Sequence, residues 1–391
     1  MRILMIASVD PAVPNASVTH LDGVASVLTN QGHDVTLVMP RAKGGKPVWS
    51  EGAKPYRIQY LPYGGRLGIP RFLCSLIHAP WIAAKIRRFH PDLIYVRSST
   101  LSAITTVIAQ TFGNGTVITE HNGWISDELQ TQGRPRWMQR MARQLQVWDA
   151  RASDVARCVT AGLARKFREQ RVADDKLLVA GNGTDLDRFQ PMERGLALAT
   201  WGLPADRFYL GFIGSLAPWH GLMVAVRAMA TIVAAEPRAH LLVAGDGVDR
   251  KPAEALAHAL NIADRITFLG HIPPEQAPTA INCFDLALAP FVSQRNSSIG
   301  LSALKVRDYA ASARAILSTD IEGVAPLDDR NWIALCQPDD AAAYAQAALR
   351  LMADPVELHR LGEAARRYAE NNFGWAAIVG AILRAAQAVR I

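Results

Sequence analysis

The sequence predicts an α/β protein built from two doubly wound parallel sheets. Three observations carry this. Short apolar runs alternate with longer stretches of helical periodicity, the alternation pauses after residue 190 and restarts, and 391 residues exceed what one ordinary core organises.

In the first half, RILMIAS (2–8) is an apolar run ended by Asp10 and Pro11, shorter than a signal peptide requires, so it reads as a buried first strand. VTHLDGVASVLTNQG (18–32) has helical spacing and closes at Gly32, ahead of the strand HDVTLVMP (33–40). PDLIYV (91–96), GTVITE (115–120) and DVARCVTA (154–161) continue as buried strands. Residues 191–206 have weak periodicity with two prolines and two glycines, and read as a linker. Beyond it, FYLGFIGS (208–215), RAHLLVAGDG (238–247), RITFLGHI (265–272), FDLALAPF (284–291) and RAILSTD (314–320) alternate with helical stretches 222–236, 251–262, 274–282 and 303–312. The expected domains are therefore 1–190 and 207–374, facing a central cleft, with a last helix over 375–391 packing back on the first domain. Ligands of such sheets bind at the carboxyl ends of the strands.

Half of the residues are hydrophobic and a fifth are charged, the balance of a soluble globular chain. No run of about 18 uncharged apolar residues predicts a spanning helix. Cys74, Cys158, Cys283 and Cys336 lie far apart without a C-x-x-C pair, which argues against a zinc site or a disulfide framework and suits a reducing cytosol. Residues 1–190 hold 24 Lys/Arg against 15 Asp/Glu, a charge of +9, and the remainder holds 18 against 20, or −2. An anionic partner of the first domain is expected: nucleic acid, lipid headgroups or a lipid diphosphate.

Five loops fall at strand ends: DPAVPNASVTH (10–20), TEHNGW (119–124), GNGTD (181–185), GSLAPWHG (214–221) and QRNSSIGLSALK (294–305). A Gly-bounded turn feeding a helix offers unpaired N–H groups and the positive end of the helix dipole, both suited to phosphate. GSLAPWHG has that form, with His220 as a further donor; a plain strand-to-helix turn with Trp219 as a packed lid is the alternative.

GSLAPWHGLMVAVRAM resembles the donor-phosphate loop of glycosyltransferase family 4, retaining enzymes of GT-B fold, in the branch with G-S-x-x-x-W-H-G. GNGTDLDRF, HLLVAGDGVDR, ITFLGHIPPEQAP, FDLALAPF and GLSALKVRDYAASARAILSTD resemble the family's later segments in order. The resemblance implies a donor site of Gly214, Ser215, His220, Gly221, Arg295, Ser298, Gly300, Leu301, Lys305 and Asp308. Ser215 and His220 stand where the family has Arg and Lys. Asp308 stands for its ribose-holding Glu, a carboxylate for two hydroxyls. Gly300 falls where the family's first Glu would be, so backbone N–H groups from Ser298 to Leu301 are expected to hold the sugar. His121 is expected beside the donor sugar and, with Lys305, in catalysis. Asn15, Ser17, His20, Asn122 and Glu128 are candidates for the acceptor.

The reading is a glycosyltransferase moving a sugar from a UDP- or GDP-sugar to a glycan or lipid-linked acceptor in bacterial surface-polysaccharide synthesis. It needs no cofactor and no metal. A nucleotide-sugar 2-epimerase and a catalytically silent scaffold are the alternatives. Two basic stretches, 71–90 and 134–151, interleave arginines with Trp, Met and Leu, and read either as helices on an anionic membrane or as packing helices with solvated arginines. No nucleic-acid motif or stacking array is present. The expected location is cytoplasmic, peripheral on the inner face of the cytoplasmic membrane.

Overall fold

A computed structural model describes residues 1–11, 16–41, 54–62, 74–326 and 329–389. The chain divides into two compact units, Met1–Asn182 together with the chain from Trp375 onward, and Gly183–Gly374.

The first unit holds seven strands: β1 (Arg2–Ile6), β2 (Asp34–Pro40), β3 (Arg57–Leu61), β4 (Leu93–Arg97), β5 (Thr116–His121), β6 (Val155–Cys158) and β7 (Leu177–Val179). They pair in the order β3-β2-β1-β4-β5-β6-β7, all parallel. Strand order reverses between β1 and β4, the position where doubly wound sheets open a ligand crevice. One face packs on the helices Ala16–Asn30 and Trp375–Ala388. Trp375 lies directly over Gly23, where an added Cβ would come within 2.4 Å of the indole. The other face carries the helices Cys74–Phe89 and Ser102–Phe112.

The second unit holds β8 (Phe208–Ile213), β9 (Ala239–Ala244), β10 (Ile266–Gly270), β11 (Leu286–Ala289), β12 (Ile316–Thr319) and β13 (Ala334–Cys336), in the order β10-β9-β8-β11-β12-β13 and again parallel. The reversal here lies between β8 and β11. Both faces of the central strands are covered, and β9 and β11 are buried at every residue, His240 of β9 included.

The linker expected over 191–206 is corrected. Glu193 caps a helix, Arg194–Thr200, whose Ala197 and Leu198 are buried in the core of the second unit, and the unit boundary falls earlier, at Gly183. Small apolar residues between prolines hid an amphipathic turn. Among the described residues, no helix is long and apolar enough to cross a membrane.

Candidate active site

In the second unit, β8 ends at Ile213 and the chain enters the turn 214–221. Gly214 takes φ +125° and Gly221 φ +76°, values that favour glycine. A Cβ on Gly221 would also come within 1.6 Å of the Pro290 carbonyl oxygen, so the turn closes against the end of β11. His220 Nδ1 lies 2.7 Å from the Ser215 carbonyl oxygen. A carbonyl only accepts, so Nδ1 carries the proton in that bond. The helix Leu222–Ala235 then begins with no side chain capping it. Its first N–H groups and dipole point back at the turn.

Lys305 is brought to this turn by the helix Leu304–Ala311. Tyr309 fixes that helix, accepting from Ile213 N–H at 2.9 Å and reaching the Leu288 carbonyl at 3.3 Å. Lys305 Nζ is buried with no hydrogen-bond partner among the described residues, and sits 3.7 Å from the centroid of Phe212. A Cβ on Gly214 would be 3.6 Å from that nitrogen. Burial pulls the ammonium down to a pKa of about 7. A buried amine without a counter-charge is costly on its own and is relieved by an anion. One turn along the helix, Asp308 accepts from the Thr184 hydroxyl at 2.6 Å, and burial pushes its carboxyl up to about 7.

The helix Ser293–Ile299 stands where a polar loop was expected. Its Asn296 is buried and donates to the Trp219 carbonyl at 2.9 Å, tying it to the turn. The Arg295 side chain lies outside the described residues, and Ser298 is exposed. Gly300 adopts φ +71°. The expected backbone cradle is corrected at Gly300 and Leu301. Gly300 N–H donates to the Asn296 carbonyl at 2.8 Å and Leu301 N–H to the Glu322 carbonyl at 2.7 Å, so neither is left for a ligand.

The first unit assembles a second polar cluster. Arg97, Glu120 and Arg157 stand side by side in register on β4, β5 and β6. Glu120 and Arg157 are wholly buried. Glu120 accepts from Tyr95 at 2.5 Å and from Arg97 and Asn122, with Arg157 at 3.4 Å and His20 Nδ1 at 3.3 Å. Burial alone would raise the Glu120 pKa. The charges of His20, Arg97 and Arg157 outweigh it and hold the carboxyl well below the usual range. Arg157 also donates to the Ala180 carbonyl at 3.0 Å, and Arg97 to Ser17 at 2.9 Å. Ser17, His20 and Asn122 are thus gathered around one carboxylate. Asn15 lies outside the described residues, and Glu128 lies half-buried on the helix Ile125–Thr131.

His121 differs from expectation. Side chains alternate along a strand, so it points to the face opposite Glu120. It is fully buried, edge-on to Phe167 at 4.8 Å, with Nε2 3.0 Å from the Thr119 hydroxyl and Nδ1 without a partner among the described residues. Burial lowers its pKa to about 3, so it is a neutral packed ring here and not an exposed donor.

The glycosyl transferases group 1 family matches residues 207–354, and glycosyltransferase family 4 matches residues 17–188. Both halves of the chain thus match glycosyltransferase domains. D-inositol 3-phosphate glycosyltransferase of Nocardia farcinica is 32% identical over 56% of this chain, which spans 49% of that protein's length. The namesake of Streptomyces scabiei is 29% identical over 90% of this chain and 81% of its own. Among solved structures, sucrose-phosphate synthase of Thermosynechococcus elongatus superposes with a TM-score of 0.81 at 20% identity, covering 100% of this chain and 98% of that one. HepE of Anabaena, solved with UDP-glucose, gives 0.76 at 15% identity over 99% and 100%. These likenesses establish the GT-B fold.

Tyr95, Arg97, Glu120 and Arg157 are the members of this candidate site that motif reasoning missed. Their signal was present: YVR, ITE and ARC each place a charge at or near the end of an apolar strand, where no charge belongs without a partner. Among the described residues, no group of three or more His, Cys, Asp or Glu is placed to hold a metal.

Proposed function

We propose that the protein is a retaining, metal-independent glycosyltransferase that moves a sugar from a UDP- or GDP-sugar to a glycan or lipid-linked acceptor in bacterial surface-polysaccharide synthesis. It acts in the cytoplasm, on the inner face of an anionic membrane. The observation that carries this is the buried, unpartnered Lys305 amine beneath Gly214, beside the uncapped start of the helix Leu222–Ala235. Such a place has two sources of positive potential, and among the described residues Lys305 forms no ion pair, so a sugar diphosphate supplies what is missing.

As the bond between the anomeric carbon and the diphosphate breaks, the electron pair stays on the leaving phosphate oxygen. Lys305 and the helix dipole stabilise that charge where it develops, and His220 adds to this when protonated at both nitrogens. Asp308, with Thr184 beside it, accepts from the nucleotide ribose. The cluster at Glu120 holds Ser17, His20 and Asn122 in fixed positions for the acceptor, since buried charge networks rigidify what they join. The UDP-glucose seen with the Anabaena neighbour supports a nucleotide sugar as donor.

The test is to incubate the purified protein with UDP- and GDP-sugars, measure release of the free diphosphate, and read the anomer of the freed or transferred sugar by NMR. Retention with one base preferred is expected. Inversion, an isomerised sugar without transfer, or no release from any donor would each contradict the proposal.

A further inference from the structure

The first unit contains a cavity of about 460 Å³, set apart from the polar cluster at Glu120 and bordered by the helices Ile125–Thr131, Arg136–Ala152 and Ala161–Glu169. Four cations line it, Arg136, Arg140, Arg143 and Lys166, against two carboxylates, Asp127 and Glu169, leaving a net charge of +2. One of those carboxylates is already engaged, because Asp127 pairs with Lys166. The three arginines make no ion pair or hydrogen bond through their side chains among the described residues, and Arg143 Nε is buried without a partner. That buried N–H is a donor which an acceptor in the cavity would satisfy.

The same helix shows a second feature. Trp137 is 64% exposed, Met141 44% and Trp148 46%. At 100° per residue these three fall within about 40° of one another, and the three arginines within about 60° on the adjoining strip. The helix is held firmly, so this exposure does not come from loose packing. Asp149 is buried and accepts from Ser98 at 2.9 Å and Thr106 at 2.6 Å, while Gln146 donates to the Gly123 carbonyl at 2.8 Å and accepts from Ile125 N–H at 3.0 Å. An apolar ridge running beside a cationic cavity has the layering of a lipid interface, with aromatics at the level of the headgroups and phosphate next to them.

We propose that this cavity binds the phosphate of an anionic membrane lipid while Trp137, Met141 and Trp148 enter the edge of the apolar layer. The proposal deepens the membrane setting given above and does not depend on sugar transfer. A soluble phosphate would use the arginines and leave the ridge in water; a lipid uses both. Arginine suits the role because its planar fork matches phosphate oxygens two at a time.

The full chain, without donor or acceptor, is sedimented with phosphatidylcholine vesicles with and without phosphatidylglycerol. Binding is expected only when the anionic lipid is present. Arg140→Gln with Arg143→Gln should weaken it about 30-fold, from the loss of two near-surface charges. Trp137→Ser with Trp148→Ser should also weaken it, although it removes no charge. Removing two exposed charges elsewhere, Arg238→Gln with Arg265→Gln, should leave binding as in the wild type. Melting curves equal to wild type confirm that each variant folds. Vesicle binding that survives the arginine pair, or falls equally in the control pair, overturns the proposal. So does stabilisation by sn-glycerol 3-phosphate in a protein that binds no vesicle, which would identify a soluble ligand.

Discussion

Lys305 carries an ammonium into a buried place where, among the described residues, no carboxylate pairs with it. Its pKa in the folded chain is about 7, against an ordinary value of 10.5. Between those values the unfolded chain holds a proton that the folded chain has released, so stability rises with pH across that window. Below pH 7 both forms hold the proton and the cost of burial is felt in full. Lys305→Met keeps the volume and removes the titration. It is expected to raise the urea midpoint at pH 7 and to flatten the rise between pH 7 and pH 10 seen in the wild type; an unchanged midpoint and slope would mean that the amine is solvated. The position of Lys305 was legible in the sequence because the motif around it spans a helix start and needs no distant partner. Glu120 was not. Its meaning depends on Arg97 and Arg157 standing in register on neighbouring strands, and pairing between strands is not written in any one of them.

Among the elements, the strands buried on both faces were legible as apolar runs, and β1, β2, β4, β5 and β6 appear where those runs lie, as do β8, β9, β11 and β12 and, at a sheet edge, the apolar β10. The edge strands β3, β7 and β13 were not. They are half-exposed and short, so they carry no continuous apolar signal. The helix Arg194–Thr200 was hidden in the same way, by a weak stripe between prolines. The C-terminal helix was read from its periodicity, and its seat on the first unit depends on Gly23. There the Trp375 indole occupies the space that a methyl would need. Gly23→Ala is accordingly expected to cost about 1–3 kcal/mol by overpacking, despite the better helix propensity of alanine. Chemical denaturation checks this. A stabilised variant would show that the helix can shift at no cost.

At the scale of the molecule, two sheets with the same reversal of strand order carry different chemistry at their strand ends. In the first, buried charges lock polar side chains in place. In the second, glycine-shaped turns and a bare lysine leave positive potential unmet. The uneven charge of the sequence follows this division, with the excess of cations in the half that bears the arginine cavity. The charge count raised the expectation of an anionic partner for that half; the packing of three helices sets four of its cations around one cavity.

Binding of a nucleotide diphosphate by the second unit at Lys305 is read by calorimetric titration of UDP and GDP into wild-type protein and Lys305→Met. The expected result is binding of one nucleotide by the wild type, weakening as pH rises from 7 to 9 because the bound diphosphate needs the charged amine, and loss of that binding and its pH dependence in the variant. Equal affinity in both proteins, or no binding of either nucleotide to the wild type, would contradict it.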